Sequence, residues 1–454
     1  MDDRKYLFEE APISKAIVKM AVPTMISMLV VIVYNIADTF FIGQTNDPLK
    51  VSAVSLAAPI FMLYTAIGNL FNVGGSSEIS RSLGAQKEER VKHISSFCFY
   101  SMLVIGAVIV IFSLLGVDVI LSLLGATDST WEFTKQYVTV ISIGTPCIIL
   151  SCALGGIIRS VGASRQAMTG NMIGTITNII LDPVFILGLG WGVTGAAVAT
   201  VIGNLFAVIY YLHYILRKQT IISVKPQDFS SKNDIAKNVF FIGTPTMLNT
   251  LLVSVSNIVR NNMLAQYGDL CVAAMGIAAK VDMVVSMILT GLGAGIQPLI
   301  GYSYGAGNER RLKKTFHTTA IYAVVLGTIL TLVTAVLRTP LIRMFIDNDE
   351  VVGYGIKMVT AFLFAAPVIG LYILSTNVIQ AMGKVKEGFV LSICRQGILY
   401  IPAICLLNSL LGLDGIIYAQ PIVDYISTAI SLLLVFGLLK KFDASNTCKT
   451  ESGA

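Results

Sequence analysis

The chain has 454 residues, of which 55% are hydrophobic and only 13% charged, and its formal net charge is +6. Because soluble domains carry about 25% charged residues, this composition predicts an integral membrane protein and excludes an ordinary soluble domain. No segment alternates polar and apolar residues between turns, so a transmembrane β-barrel is not expected.

The Lys and Arg residues lie mainly in alternate loops between the apolar segments. Cytoplasmic loops of membrane proteins carry an excess of these residues, so both termini and every second loop are predicted to be cytoplasmic. We therefore expect a multi-pass protein of the bacterial cytoplasmic (inner) membrane. The net charge orients the chain in the bilayer and does not predict a nucleic-acid partner. The basic clusters are Arg4 to Lys19, Arg81 to Lys92, Arg159 and Arg165, 217–237, Arg310 to Lys314, Lys384 and Lys386, and Lys440 and Lys441.

About 20 apolar residues in a helix cross the hydrocarbon core of a bilayer. Twelve segments meet this requirement, which predicts an all-α integral membrane fold with twelve transmembrane helices. The first six spans lie near residues 16–42, 52–82, 95–124, 133–160, 167–188 and 194–216. The second six lie near residues 239–266, 271–302, 316–345, 352–382, 389–411 and 415–438.

The two sets of six spans are predicted to be repeats, because five short motifs of the first half recur in the second half at a nearly constant separation. Six spans bring each half back to the side on which it began, so the repeats are parallel, as in several transporter folds. We expect two six-helix lobes, 1–216 and 238–440, with a cytoplasmic linker at 217–237 and a tail at 441–454. The motif pairs are Pro23-Thr24-Met25 and Pro245-Thr246-Met247, Asn35-Ile36 and Asn257-Ile258, Gly84 and Gly305, Pro146 and Pro367, and Gly162 and Gly383.

Two acidic residues lie deep within the predicted spans of the first half. An ionisable residue at the centre of a span costs roughly 2.5–3.5 kcal/mol, so it is a functional candidate. Asp38 lies in span one and shares its helix face with Asn35. In span five, one helix face carries, at intervals of three or four residues, Asn171, Thr175, Asn178 and Asp182.

Span six adds Thr200 and Asn204, one helical turn apart, so polar faces of three spans can converge inside the first bundle. A carboxylate there needs a proton, a cation or several hydrogen bonds, which predicts a site that couples transport to H⁺ or Na⁺. The predicted coupling residues are Asp38, Asp182, Asn178, Thr200 and Asn35. Na⁺ would bind at Asp38, Asn178, Asp182 and Thr200. Candidate substrate contacts on the same faces are Met28, Tyr34, Asn171, Thr175 and Asn204.

A structural role is the alternative for each of these polar residues. Asn and Asp side chains also form hydrogen bonds that hold membrane helices together, and each such bond contributes only about 0.6 kcal/mol to stability. Pro183 adds a local effect, because it leaves the Ile179 carbonyl without its helical donor and permits a bend beside Asp182.

The second bundle is expected to differ in its chemistry. Where the first repeat has Asp38, the register of the repeat places Arg260, and Arg395 lies about two turns into span eleven. We expect acids in the core of the first bundle only, with Asp282 nearer the outer face. The roles of Arg260 and Arg395 stay open between pairing with acids or backbone and repelling cations.

Several motifs follow one another in order along the chain: Asn35-Ile-Ala-Asp38-Thr-Phe-Phe-Ile-Gly43, Asn178-Ile-Ile-Leu-Asp182-Pro183, Gly192-Val-Thr-Gly195, Gln297-Pro298, Gly301-Tyr-Ser-Tyr-Gly305 and Arg395-Gln396. With them the chain, from Pro23 to about Leu439, resembles the multidrug and toxic compound extrusion (MATE) family in its bacterial DinF/MepA-like branch. The resemblance implies a two-lobed antiporter that expels organic cations and drugs in exchange for H⁺ or Na⁺, with no cofactor. We expect it to act as a monomer.

In that family a first-lobe site involves the residues that match Asp38, Asn178, Asp182 and Thr200. Other branches have acids in spans seven and ten, whereas span seven here has Arg260, which favours first-lobe coupling and H⁺ over Na⁺. The nearest alternative is a lipid-linked saccharide flippase, which should have a basic cavity and often extra spans. An enzyme is not expected, because no catalytic cluster occurs, and a channel would need a filter or a ring of charges.

Overall fold

The computed structural model describes residues 5–45, 47–217, 221–232, 234–346 and 348–451. Parts of the predicted first lobe (1–4 and 46), linker (218–220 and 233), second lobe (347) and tail (452–454) lie outside these residues. The described chain is helical and contains no β-strand. Its α-helices are α1 (Ile13–Gly43), α2 (Pro48–Gly84), α3 (Glu88–Leu115), α4 (Val117–Leu123), α5 (Trp131–Ile143), α6 (Thr145–Ser160), α7 (Ser164–Pro183), α8 (Gly192–Arg217), α9 (Ile235–Ala265), α10 (Asp269–Gly305), α11 (Glu309–Arg343), α12 (Asp349–Ala381), α13 (Val385–Ile393), α14 (Ile401–Leu411) and α15 (Leu413–Glu451).

The number of membrane-spanning helices agrees with the sequence prediction of twelve. Eleven helical segments of the described chain are long and apolar enough to cross a bilayer, and α5 with α6 forms a twelfth that bends by 53°. The bend falls at Gly144, just before Pro146, which cannot donate a helical hydrogen bond. A side chain at Gly144 would also collide with Val201, because a Cβ there would lie 2.2 Å from Val201 Cγ2.

The helix that carries Asp182 changes its winding directly after this residue. Pro183 ends α7, and Val184–Gly188 continues the span as one π-helical turn. The backbone N–H of Leu189 donates to the Val184 carbonyl at 2.8 Å, five residues back. The sequence predicted that Pro183 permits a bend beside Asp182; the structure has a change from α-helical to π-helical winding directly after Pro183.

Contacts divide the chain into two compact units. The N-unit is Leu29–Met247, and the C-unit combines the chain through Met28 with the chain from Leu248 onward. Both boundaries therefore lie inside helices, α1 and α9. The lobes 1–216 and 238–440 remain a prediction from the repeat, because the first turns of each repeat group with the unit built mainly from the other repeat.

The N-unit core is closed by a buried tyrosine at the junction of three helices. The Tyr64 hydroxyl on α2 lies 2.9 Å from Ser113 Oγ on α3 and 2.9 Å from Ser142 Oγ on α5. A phenol buried among apolar residues needs such partners, because the free-energy cost of burying an unpaired hydroxyl would offset much of the free energy gained by packing the ring. Apolar residues of α2, α5 and α8 surround it, including Ala57, Val138, Ile141 and Ala197.

Glycines allow the first turns of α1 and α9 to approach their neighbours at backbone distance. In the N-unit, a Cβ at Gly74 would lie 2.1 Å from the Val239 carbonyl oxygen. In the C-unit, a Cβ at Gly295 would lie 2.5 Å from Ala21 Cα. Gly74 and Gly295 are equivalent in the register of the repeat, so both repeats use a glycine at the same place for the same purpose.

The described part of the segment between the repeats packs on α3. Ser95 Oγ donates to the Ser223 carbonyl at 3.0 Å, and Ser96 Oγ donates to the Lys225 carbonyl at 2.8 Å. Tyr100 Oη donates to the Val224 carbonyl at 3.1 Å. These hydrogen bonds attach residues 221–232 to the N-unit just before α9 begins.

Gly74→Ala is expected to destabilise the N-unit by about 1–3 kcal/mol, because the added methyl group would overlap the Val239 carbonyl. The midpoint of thermal unfolding of the purified protein in detergent measures the effect. Gly276→Ala is the matched control: Gly276 also lies inside a long helix, α10, but a Cβ there meets nothing within 4 Å. Equal midpoints for the two variants would contradict the close approach of α2 and α9.

Candidate functional site

The site begins with a backbone contact between α7 and α8. A Cβ at Gly174 would lie 2.8 Å from the Gly203 carbonyl oxygen, and a Cβ at Gly203 would lie 2.6 Å from the Gly174 carbonyl oxygen. Larger residues would hold the helices apart, so these two glycines set the distance between the polar faces. One turn further along, Asn178 on α7 meets Thr200 on α8.

Asn178 bridges Asp182 and Thr200. With its amide oriented so that both ends are satisfied, Asn178 Nδ2 donates to Asp182 Oδ2 at 3.1 Å. Its Oδ1 accepts from the Thr200 backbone N–H at 3.0 Å and from the Thr200 hydroxyl at 3.3 Å. Asp182, Asn178 and Thr200 are 0%, 3% and 4% exposed, so water does not replace these contacts.

The second carboxyl oxygen of Asp182 has no partner. Asp182 Oδ1 is buried and accepts no hydrogen bond from any described residue. A buried carboxylate with one unsatisfied oxygen is costly, whereas a carboxyl group that carries a proton on that oxygen, or that meets a cation there, is not. Oδ1 of Asp182 is therefore the open acceptor of this network in the described part of the N-unit.

Asp38 approaches the same place from α1. Its carboxylate is close enough to Asp182 for the two charges to interact. Asp38 is half-buried and has no hydrogen-bond or ion-pair partner in the described part of the chain. Tyr34, one turn before it, lies within reach of the Thr200 hydroxyl and of both acids. The structure therefore brings together the four residues proposed for Na⁺ and adds Tyr34 to their surroundings.

Only some of the remaining predicted residues belong to this hydrogen-bond network. Asn204 belongs to the same network, since its Nδ2 donates to the Thr200 carbonyl at 2.8 Å and its Oδ1 accepts from Ser151 Oγ. Thr175 Oγ1 donates to Asn171 Oδ1 at 3.1 Å on the same helix. Asn35 lies on an exposed face, where its Nδ2 donates to the Val31 carbonyl at 2.8 Å.

Met28 is the one candidate substrate contact that groups with the C-unit; the others lie in the N-unit. Sequence reasoning missed Tyr137 on α5, a buried tyrosine that interacts electrostatically with Asp38, Tyr34 and Asp182. It also missed Ser151 on α6, the partner of Asn204. Neither residue stands in a periodic polar stripe, so spacing within one helix gave no signal for them.

The chemistry available at this place is that of two carboxyl groups and neutral oxygens. The described residues contain no cluster of three or more His, Cys, Asp or Glu side chains suited to a metal ion. With the amide of Asn178 oriented so that both of its ends are satisfied, its nitrogen faces Asp182.

The expectation that acids occur in the core of the first bundle alone is wrong. Asp424 on α15 is 5% exposed and lies in the C-unit core. Its Oδ1 accepts from Arg395 Nε and from Gln420 Nε2, each at 2.9 Å, and Arg395 Nη2 lies 2.9 Å from the same oxygen. Arg395 therefore pairs with an acid, one of the roles left open for it. Asp424 lies within predicted span twelve, so the rule that identified Asp38 applies to it as well.

The MatE family model matches the chain twice, over residues 23–184 and 245–406. The first match begins at Pro23 and the second at Pro245, the two prolines of the first recurring motif pair, so the matches stand in the register that the motifs predicted. Together the two matches cover more than half of the chain.

Curated relatives and solved structures match over nearly the whole length. Multidrug export protein MepA of Staphylococcus saprophyticus is 32% identical over 435 residues, which cover 96% of each chain. The protein of the same name from Staphylococcus haemolyticus is 32% identical over 437 residues, again 96% of each chain. A crystal structure of MATE in complex with MaL6 superposes with a TM-score of 0.93 over 98% of this chain and 100% of that one, at 23% identity.

Asn178→Ala is expected to lower the stability of the N-unit by about 1–3 kcal/mol, because it leaves Asp182 and Thr200 without their shared partner in a buried place. Thermal unfolding in detergent measures this loss. Asn171→Ala, on the same helix face, removes a single hydrogen bond to Thr175 and should cost only about 0.6 kcal/mol. If Asn178→Ala loses no more stability than Asn171→Ala, the bridge between Asp182 and Thr200 does not contribute more to stability than an ordinary hydrogen bond.

Proposed function

Because the chain belongs to the MatE family, as its motifs predicted, we propose that it exports organic cations and drugs by antiport against H⁺. It is a multi-pass membrane transporter and not an enzyme. The transported ion is the only cofactor-like species that the proposal requires. Asp182 and Asp38 carry the coupling charge, and Asn178, Thr200 and Asn35 are their neighbours.

The observation that carries the proposal is the unpartnered Oδ1 of Asp182, fully buried next to a second acid. Two nearby carboxylates in a low-dielectric bundle repel each other, so the ionised pair needs a compensating positive charge. A proton supplies it in one state of the cycle. Its departure makes the pair attractive for a cationic substrate, which links export to proton entry.

Proton coupling is favoured over Na⁺ because span seven carries Arg260, whereas other branches of the family have acids in spans seven and ten. Na⁺ is the alternative ion, and Asp38, Asn178, Asp182 and Thr200 are the residues that would hold it. The coupling experiment below separates the two ions.

The substrate class rests on chemistry and on relatives. Acids without basic partners suit cations, and Tyr34 beside them offers a flat aromatic face for an organic cation. Met28, Asn171, Thr175 and Asn204 are proposed further contacts, since a flexible methionine adapts to varied apolar groups. The relatives from staphylococci are named for multidrug export.

We also propose the membrane in which the protein lies and its orientation there. Relatives from bacteria and the alternation of basic loops support the bacterial cytoplasmic (inner) membrane with both termini cytoplasmic. Two compact units within one chain supply the two bodies that alternating access needs, so we propose that a monomer transports.

Asp182→Asn is expected to abolish proton-driven efflux while the folded protein stays in the membrane, because the amide keeps the shape of the side chain but cannot exchange a proton. Purified protein in liposomes loaded with ethidium, under an imposed pH gradient, measures this. The expected rate equals that of protein-free liposomes. Asp118→Asn is the matched control, since Asp118 is a solvent-exposed acid paired with Lys135 and should leave transport unchanged.

The alternatives make opposite predictions in the same liposomes. Wild-type efflux from Asp182→Asn would refute the assignment of this residue. Efflux driven by a Na⁺ gradient and not by a pH gradient would keep the site but replace the ion. Absence of cation movement under either gradient would favour the flippase, and a labelled lipid-linked saccharide would then be the substrate to test.

A further inference from the structure

Ring contacts at one end of the C-unit join three segments that carry basic residues. The ring centre of Tyr304, at the end of α10, lies 4.8 Å from that of Phe442 on α15. Lys384 Nζ, from the connection between α12 and α13, lies 5.8 Å from the Tyr304 ring centre. Phe316 on α11 contacts Phe436 on α15 with 6.0 Å between ring centres. The basic patch that these contacts assemble consists of Arg310, Lys314, Lys384, Lys386, Lys440 and Lys441.

The basic patch has no counter-charge among the described residues. None of its members forms an ion pair there, whereas Lys313, next to Lys314 in the chain, pairs with Glu309 at 2.6 Å. Glu387 is the other acid in the described parts of these segments, and it cannot balance six positive charges by itself. Five members are exposed, and Lys384 is half-buried. Because like charges repel one another, an anion that binds across the patch would stabilise it.

Exposed apolar residues continue the basic faces of α11 and α15 along the helices. On α15, Phe436 lies one turn before Lys440 and Leu433 lies a turn further, so the three residues share one face. On α11, Ile321 lies two turns after Lys314. Leu433 is 73% exposed and Ile321 is 62% exposed, as expected of side chains that contact lipid. A charged end followed by an apolar face matches a phospholipid, with a phosphate at the headgroup level and acyl chains along the helices.

The duplication did not give both units this patch. In the register of the repeat, the positions of Arg310, Lys314 and Lys384 carry an acid, a histidine and an alanine in the N-unit, namely Glu89, His93 and Ala163. The segment between the repeats also contacts this part of the N-unit, since His93 Nδ1 lies 2.8 Å from the Asp228 carbonyl oxygen. An excess of basic residues in alternate loops orients a membrane protein, but it does not require this concentration in one unit.

We propose that the basic patch binds the phosphate of an anionic phospholipid from the surrounding bilayer. The acyl chains of this lipid lie against the exposed apolar residues of α11 and α15. Tyr304 holds Lys384 next to the end of α15, so charges from separate segments act on one headgroup. In the proposed orientation the lipid belongs to the cytoplasmic leaflet. Lipid binding at this patch depends neither on the transported substrate nor on the coupling ion.

Native mass spectrometry of the purified full-length protein tests the patch with two lipids that have the same acyl chains. Dioleoylphosphatidylglycerol is anionic and dioleoylphosphatidylcholine is zwitterionic. The wild type should bind the anionic lipid more tightly, and added salt should weaken this preference. Lys314→Gln/Lys384→Gln/Lys440→Gln removes one charge from each segment. It should weaken binding of the anionic lipid about tenfold or more, because each basic residue near an anionic headgroup contributes about fivefold.

The matched control is Lys87→Gln/Lys92→Gln/Lys232→Gln, which removes the same charge from exposed residues of the N-unit and should keep the preference. Lys440→Gln alone changes one exposed side chain and should weaken binding about fivefold, which tests the patch if the triple variant does not fold.

Three results would overturn the proposal. The first is equal affinity of the wild type for the two lipids, and the second is an equal loss of preference in both triple variants. The third is displacement of the bound lipid by glycerol 3-phosphate at a similar concentration, which would indicate a site for a soluble phosphate in place of a lipid.

Discussion

A carboxylate inside a bilayer must find its compensating donors or charges within the protein, because the surrounding hydrocarbon offers none. Both units obey this constraint, but they meet it in different ways. In the N-unit, neutral groups of Asn178 and Thr200 satisfy half of Asp182 and leave Oδ1 open. In the C-unit, Arg395 and Gln420 saturate one oxygen of Asp424. The first arrangement leaves one buried oxygen without a partner among the described residues, and the second places its oxygen in an ion pair.

The helix framework places these groups at the right distance. Gly174 and Gly203 allow α7 and α8 to touch along their backbones, which brings Asn178 to Thr200. Pro183 ends the regular helix directly after Asp182, and a π-helical turn, Val184–Gly188, continues the span. Two glycines and a proline, which have no polar side chains, therefore determine where the polar side chains of Asn178, Asp182 and Thr200 lie.

Duplication supplied two similar scaffolds that then took on different charges. The family model matches both halves in the register of the recurring motifs, and Gly74 and Gly295 serve the same close approach in each. Asp38 and Arg260 occupy equivalent positions but carry opposite charges. In the N-unit, Asp38 and Asp182 have no basic partner among the described residues, whereas in the C-unit Asp424 is paired with Arg395. In the proposed export of organic cations, the two acids that would attract the substrate therefore lie in the same unit.

The sequence by itself determined the number of spans, the duplication and the family, because all three depend on hydropathy and on motifs that are read along the chain. It also placed Asn178 and Asp182 on one face of α7, since residues four apart on a helix lie side by side. Only the tertiary structure decided which residues of other helices meet them. Arg395 pairs with Asp424, Ser151 pairs with Asn204, and Tyr137 on α5 interacts electrostatically with Asp38 and Asp182. The spacing of residues within a helix determines which of them share a face. Which residues that face contacts depends on how the helices pack, and the glycines that control the packing give no sign in the sequence of the contacts they allow.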